Sequence, residues 1–148
     1  MISRSLTATF KHYWTDDPAI DRAHPAFNLV EYQRTGDPRH LPAKEGQRLT
    51  VFECGPLSRR QFQAVMQLRV QERPIDACVL AVSYGLRAVH GFYDVNGVEL
   101  EVTLQTDAHG DKQVTAATLD VLYDMALLAQ LGTRISNESR LRPTSAQE

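Results

Sequence analysis

The run RLTVFECGPLSRRQF, residues 48–62, constrains this chain more than any other. Leu49, Val51 and Cys54 are apolar residues in a short run that suits a half-buried strand. Gly55-Pro56 stops that strand and turns the chain. Ser58 with Gln61 three residues on is a capping box, in which each side chain satisfies the other residue's backbone N–H. Leu57 and Phe62 flank it as a hydrophobic staple. The pattern predicts a helix from Arg59, with Phe62, Val65, Met66 and Val70 on its apolar side. Pro74 cannot continue that helix but suits the first turn of a new one, where Asp76 complements the dipole. Ile75, Cys78, Val79, Val82, Leu86 and Val89 then make a one-sided stripe up to His90, and Gly91 is placed to take the left-handed cap. Residues 49–90 are therefore expected as a strand, a tight turn and two helices meeting in a corner at Pro74.

At 148 residues the chain is long enough to bury a core and is expected as one domain. Its 43% apolar and 23% charged residues are ordinary for a globular protein. A formal net charge of −2 argues against a protein whose main task is coating nucleic acid. No stretch approaches the roughly 20 apolar residues that span a bilayer. The opening MISRSLTATFKHYW has no apolar core or cleavage site, so the expected place of synthesis is a cytosol. Cys54 and Cys78 lie among apolar residues at no metal spacing and read as small buried hydrophobes.

Upstream, residues 7–14 alternate and predict a strand: Ala8, Phe10, His12 and Trp14 face one way, Thr7, Thr9, Lys11 and Tyr13 the other. Residues 15–48 carry Pro18, Pro25, Pro38 and Pro42 with only scattered apolar groups. Apart from a short helix in AFNLVEYQRTG ending at Gly36, this segment is expected to be an extended arm that buries too little of itself to offset its ordering entropy. Downstream, Asp94-Val95-Asn96-Gly97 is a hairpin turn signal within residues 92–104. Val98, Leu100, Val102 and Leu104 should be the buried face. TDAHGD, residues 106–111, reads as a polar loop, with KQVT returning as a short strand. Thr115 is placed to cap a third helix from Ala116 to about Leu131, apolar over most of its circumference and ended by Gly132, with Ile135 and Leu141 in a further turn. The expected fold is α+β. Three main helices pack with short antiparallel strands and a hairpin, behind a long extended N-terminal arm. Within one domain over 1–148, residues 15–48 form the arm, 49–141 the compact body and 142–148 a polar tail.

Motifs that carry chemistry are missing. The five histidines, His12, His24, His40, His90 and His109, never stand at i, i+4 and never pair with cysteine at zinc spacing. Asp16, Asp17 and Asp21 in DDPAID, and Asp94 and Asn96 in DVNG, do not continue into a calcium loop. Ser83 and Gly85 in VSYGL sit within a helical pattern, not a nucleophile elbow. No glycine-rich phosphate cradle is present. Catalytic, cofactor and metal sites are therefore expected to be absent. The aromatics Phe10, Tyr13, Trp14, Phe27 and Tyr32 gather near the first strand and the arm. They either plug the arm into its own core or anchor in pockets of a partner, as Trp and Tyr do at binding hot spots. On the second reading the partner-binding residues are Tyr13, Trp14, Phe27, Leu29 and Tyr32.

The strand TVF leading into PLS and a helix, followed by a polar hairpin and a leucine-rich C-terminal helix with a short polar tail, resembles small proteins encoded among the head and tail genes of tailed bacteriophages. The likeness covers residues 49–141. It implies a non-enzymatic virion structural protein of the head–tail neck or tail, made in the host cytoplasm. Its partners would be other virion proteins and copies of itself in a ring, with no cofactor, membrane, small molecule or specific nucleic acid. A tail assembly chaperone absent from the finished particle is the first alternative. A small cytosolic enzyme or ligand-binding domain is the second, and His12, His90 or His109 beside a carboxylate in a concave pocket would favour it sharply.

Overall fold

The computed structural model describes residues 9–93, 96–124 and 127–141. The chain is α+β, with short strands in two small sheets. Its elements are β1 (Phe10–Tyr13), α1 (Leu29–Thr35), a 3-10 turn (Pro38–His40), β2 (Val51–Cys54), α2 (Arg59–Val70), α3 (Pro74–Gly85), β3 (Leu86–His90), β4 (Leu104–Thr106), β5 (Lys112–Val114), α4 (Ala116–Asp124) and α5 (Leu128–Leu141). One sheet has the order β1-β2-β3, and the other is the β4-β5 hairpin. No helix among the described residues is long and apolar enough to cross a membrane.

The chain divides into two compact units. The first holds Glu53–Ala88, the described residues from Glu101 onward and the short run ending at Phe10. The second holds Lys11–Phe52 and Val89–Leu100. These boundaries differ from an arm at 15–48 set before a body at 49–141.

In the first unit the capping box forms as read. Ser58 Oγ accepts from Gln61 N at 3.2 Å, and Gln61 Oε1 accepts from Ser58 N at 2.9 Å. The corner before Pro74 is made at Glu72, whose φ of 59° is left-handed. Val70 and Ile75, expected on the apolar faces, flank this corner and are 78% and 61% exposed. α3 packs against α2, α5 and β5, burying Ala77, Cys78, Ala81 and Val82.

The expected helix to His90 stops at Gly85, and the chain passes directly into β3. Gly55 N donates to Gly85 O at 2.7 Å, so backbone pairing with the end of β2 takes over from the helical ladder. Gly91 is left-handed, at φ 77°, but it follows a strand.

The expected third helix is likewise two, α4 and α5, and Gly132 lies inside α5 instead of ending it. Its missing side chain has a packing role. A Cβ there would lie 2.7 Å from Cys78 Cα and 2.9 Å from Cys78 O, so α5 presses on the α3 backbone. Gly85 gives the reciprocal space, since a Cβ there would lie 2.6 Å from Ile135 Cγ2. Ser139 Oγ accepts from Leu57 N at 2.8 Å and donates to Ile135 O at 2.7 Å, tying the approach to α2 onto α5.

In the second unit residues 15–48 are not extended. Lys44 N donates to Ala19 O and Asp21 N to Pro42 O, both at 2.8 Å, around an antiparallel bridge between Ile20 and Ala43. Asn28 caps α1 by accepting from Glu31 N, and Gly36 closes it in the left-handed conformation. Asp37 caps the 3-10 turn. The buried Asp17 carboxylate accepts from Ala19 N at 2.9 Å and Thr50 N at 2.6 Å. Ile20, Tyr32 and Leu41 form a small buried cluster beneath Tyr13, Phe27, Leu29 and Leu49. The reason is local: short polar side chains satisfy the turn backbone, so a few apolar groups suffice to close the segment on itself.

The predicted hairpin after Phe92 survives as a bridge between Tyr93 and Glu99, with Leu100 N donating to Phe92 O at 2.7 Å. Asp94 and Val95 lie outside the described residues. Its alternation is not that of a buried face: Val98 is 62% exposed and Leu104 is 42% exposed. Leu104 instead opens β4, which pairs with β5 in the register Leu104–Val114, Gln105–Gln113, Thr106–Lys112. The polar tail at 142–148 is outside the described residues.

Candidate functional site

In the first unit the β4-β5 loop is clasped onto α2 and α3. Asp107 opens the loop and holds its shape. Its Oδ1 accepts from His109 N at 2.8 Å and Asp111 N at 2.9 Å. Its own N–H bonds Asp111 O at 2.9 Å, and Gly110 takes the left-handed position that closes the turn. Two contacts then reach the helices. Tyr84, at the end of α3, donates its hydroxyl to Asp107 Oδ2 at 2.6 Å. Arg60, in the first turn of α2, pairs with Asp111. Gln61 adds a bond from Nε2 to Asp111 Oδ2 at 3.2 Å while its Oε1 remains in the capping box. The residue that starts α2 thus also fixes the loop.

The clasp borders a half-open recess of about 190 Å³. Ala64 of α2 and Leu80 of α3 supply apolar lining, and Arg60, Gln61, Tyr84, Asp107 and His109 surround it. The Tyr84 hydroxyl, with the loop backbone behind it, holds the Asp107 carboxyl below the usual carboxylate range. The same bond, followed by partial burial, pushes Tyr84 up to about 12. Around neutral pH the phenol keeps its proton and the carboxylate its charge. The pair acts as a fixed donor and acceptor, since a general acid or base needs a pKa near the working pH.

The anticipated partner-binding residues lie in the second unit. Tyr32 is 2% exposed, at the centre of its cluster. Tyr13, Phe27 and Leu29 are half-buried against that cluster. The Tyr13 and Tyr32 rings meet edge to face at 6.3 Å, and the Arg22 guanidinium sits 5.4 Å from the Phe27 ring centre. The Tyr32 hydroxyl accepts from Tyr13 N at 2.8 Å and donates to Tyr13 O at 3.3 Å, closing the backbone of β1 at that residue. The structure brings these four together as the segment's own core. Trp14 is half-buried and belongs to a separate turn, its carbonyl accepting from Asp17 N.

The sequence does not mark the recess residues as a group. TDAHGD showed only a polar loop and Gln61 only a cap. The available local signal was an aspartate followed by glycine three residues on, which favours a side-chain-closed turn. Nothing local links Asp107 to Tyr84 or Asp111 to Arg60.

Among the described residues no group of three or more His, Cys, Asp and Glu side chains is placed to hold a metal ion. Cys54 and Cys78 are buried thiols, and burial pushes the Cys54 thiol up to about 12. No protein-family model, curated protein or solved structure matches this chain.

Proposed function

We propose that this chain is a non-enzymatic structural component of a bacteriophage particle, working by contact with other virion proteins and with copies of itself in a ring near the head–tail neck or in the tail. The observation that carries the reading is the clasped recess. At about 190 Å³ it is smaller than the roughly 300–1,000 Å³ of small-molecule pockets and suits one side chain of a neighbour. Its walls are held by a phenol–carboxylate bond and an ion pair, so little order has to be gained on binding. The same unit exposes Val70 and Ile75 at the α2-α3 corner and Leu104 on β4, apolar groups available to a partner. The pattern of residues 49–141 supplies the phage context. Residues 15–48 take part through their folded surface, where Val30 is 74% exposed.

Quantitative mass spectrometry of purified particles tests the proposal. A structural component is present at a fixed ratio to the capsid protein. Absence from finished particles, with retention on a tail protein during assembly, would favour the chaperone role instead. A second reading, a small ligand-binding domain or enzyme, draws on His109 and Asp107 bordering one recess. The contact between them is from the His109 backbone N–H, which serves the loop.

A further inference from the structure

Resting on that contact-based reading, we propose that the recess between α2, α3 and the β4-β5 loop is a socket for one aromatic side chain bearing a hydrogen-bond donor, a tryptophan or tyrosine of a neighbouring protein subunit. Three observations select this occupant. The volume of about 190 Å³ holds a single large side chain. The lining is divided, with Ala64, Leu80 and the Tyr84 ring able to receive a flat apolar body while the Arg60 guanidinium, its side chain 52% exposed, stands at the edge for a cation–π contact.

The third observation is a count of unused hydrogen-bonding positions. A carboxylate offers about four lone-pair positions. Asp107 fills three, with the Tyr84 hydroxyl and the His109 and Asp111 amides. Among the described residues the fourth, on Oδ2, is left open to a further donor. An indole N–H or phenol O–H supplies one, whereas a leucine or phenylalanine would leave the acceptor unpaired. A carboxylate ligand would meet the Asp107 charge. Arg60 also has unused N–H groups, but its charge is already matched by Asp111, which lowers its preference for an anion.

The test titrates the full-length protein with N-acetyl-tryptophanamide, N-acetyl-tyrosinamide and N-acetyl-leucinamide, following backbone and side-chain NMR shifts. The expected result is saturable shifts at Tyr84, His109 and Asp111, with the two aromatic amides binding at least tenfold more tightly than the leucine amide. Ala64→Phe, at an exposed helix position, fills the recess and abolishes those shifts while the spectrum stays folded. Leucine amide binding as tightly, shifts unchanged in Ala64→Phe, or no shift with either aromatic amide would overturn the socket. Particle composition separates this from failure of the parent reading. Wild-type protein in particles with Ala64→Phe incorporated equally well defeats the socket alone, whereas wild-type protein absent from particles defeats the virion role.

Discussion

Replacing Gly132 by alanine sets two physical effects against each other with opposite signs. Alanine in a helix interior is favoured over glycine by about 1 kcal/mol, so propensity alone predicts stabilisation. The structure predicts the reverse. The new Cβ would lie 2.7 Å from Cys78 Cα, a backbone atom of α3 that has no rotamer with which to move aside. Either α5 lifts away from α3 or both backbones shift. Overpacking of this kind costs about 1–3 kcal/mol, and a backbone obstacle places this site at the upper end. The net expectation is a loss of about 2 kcal/mol, or about 6 °C in Tm at roughly 3 °C per kcal/mol for a chain of this length. Thermal melting followed by circular dichroism reads it, with urea unfolding to confirm that the midpoint moves and the slope does not. Thr133→Ala, at an exposed position of the same helix, reports propensity alone and should be neutral or slightly stabilising. If Gly132→Ala raised Tm, close contact between α5 and α3 at Cys78 would be refuted.

Three other outcomes are expected. Tyr32→Phe removes the hydroxyl that pairs both Tyr13 backbone groups, for a loss of about 1–2 kcal/mol. Hydrogen exchange at Tyr13 should accelerate while α3 amides do not, and unchanged exchange at Tyr13 would contradict the pairing. Asp107 has a lowered folded-state pKa, so the clasp adds stability above the unfolded carboxylate value of about 3.9 and loses it as pH falls through the folded value. Tyr84→Phe removes the largest cause of that lowering, so loop-amide protection at His109 and Asp111 should disappear at a higher pH than in the wild type; identical midpoints would show that Tyr84 does not set it. Finally, the Cys54 thiol, pushed up to about 12 by burial, should resist a thiol reagent at pH 8 until urea unfolds the chain. Rapid labelling of the native protein would place Cys54 elsewhere.

What was legible in the sequence was what is physically local. Ser58 and Gln61 satisfy each other within one turn, so the start of α2 could be read from the residues. Gly36 after a short amphipathic run fixed the end of α1 in the same way. Leu86 and Val89 misled because they continue the helical spacing, whereas the chain is taken out of the helix by pairing with a strand about thirty residues earlier. Gly132 looked like a stop because glycine ends many helices; its reason lies on another helix, at Cys78. The prolines and aspartates of residues 15–48 suggested an extended arm, but Asp17, Asn28 and Asp37 each satisfy nearby backbone, and three apolar residues then close a small core. Tyr13, Phe27 and Tyr32 pack there as in the reading in which the segment plugs its own core, whereas Phe10 and Trp14 are not part of that cluster. The recess was invisible for the same reason as β3. Tyr, Asp and Arg are ordinary residues until distant parts of the chain bring them together.

As proposed, this protein works by occupying a place in the particle and not by turning over a substrate. A graded depletion of the protein during infection, with particle yield measured at each level, tests it most directly. Yield is expected to fall in proportion to supply once the protein becomes limiting, because each particle would consume a fixed number of copies. Full yield sustained by trace amounts would contradict it, since only a protein that is reused, an assembly chaperone or an enzyme, could serve many particles with so few copies.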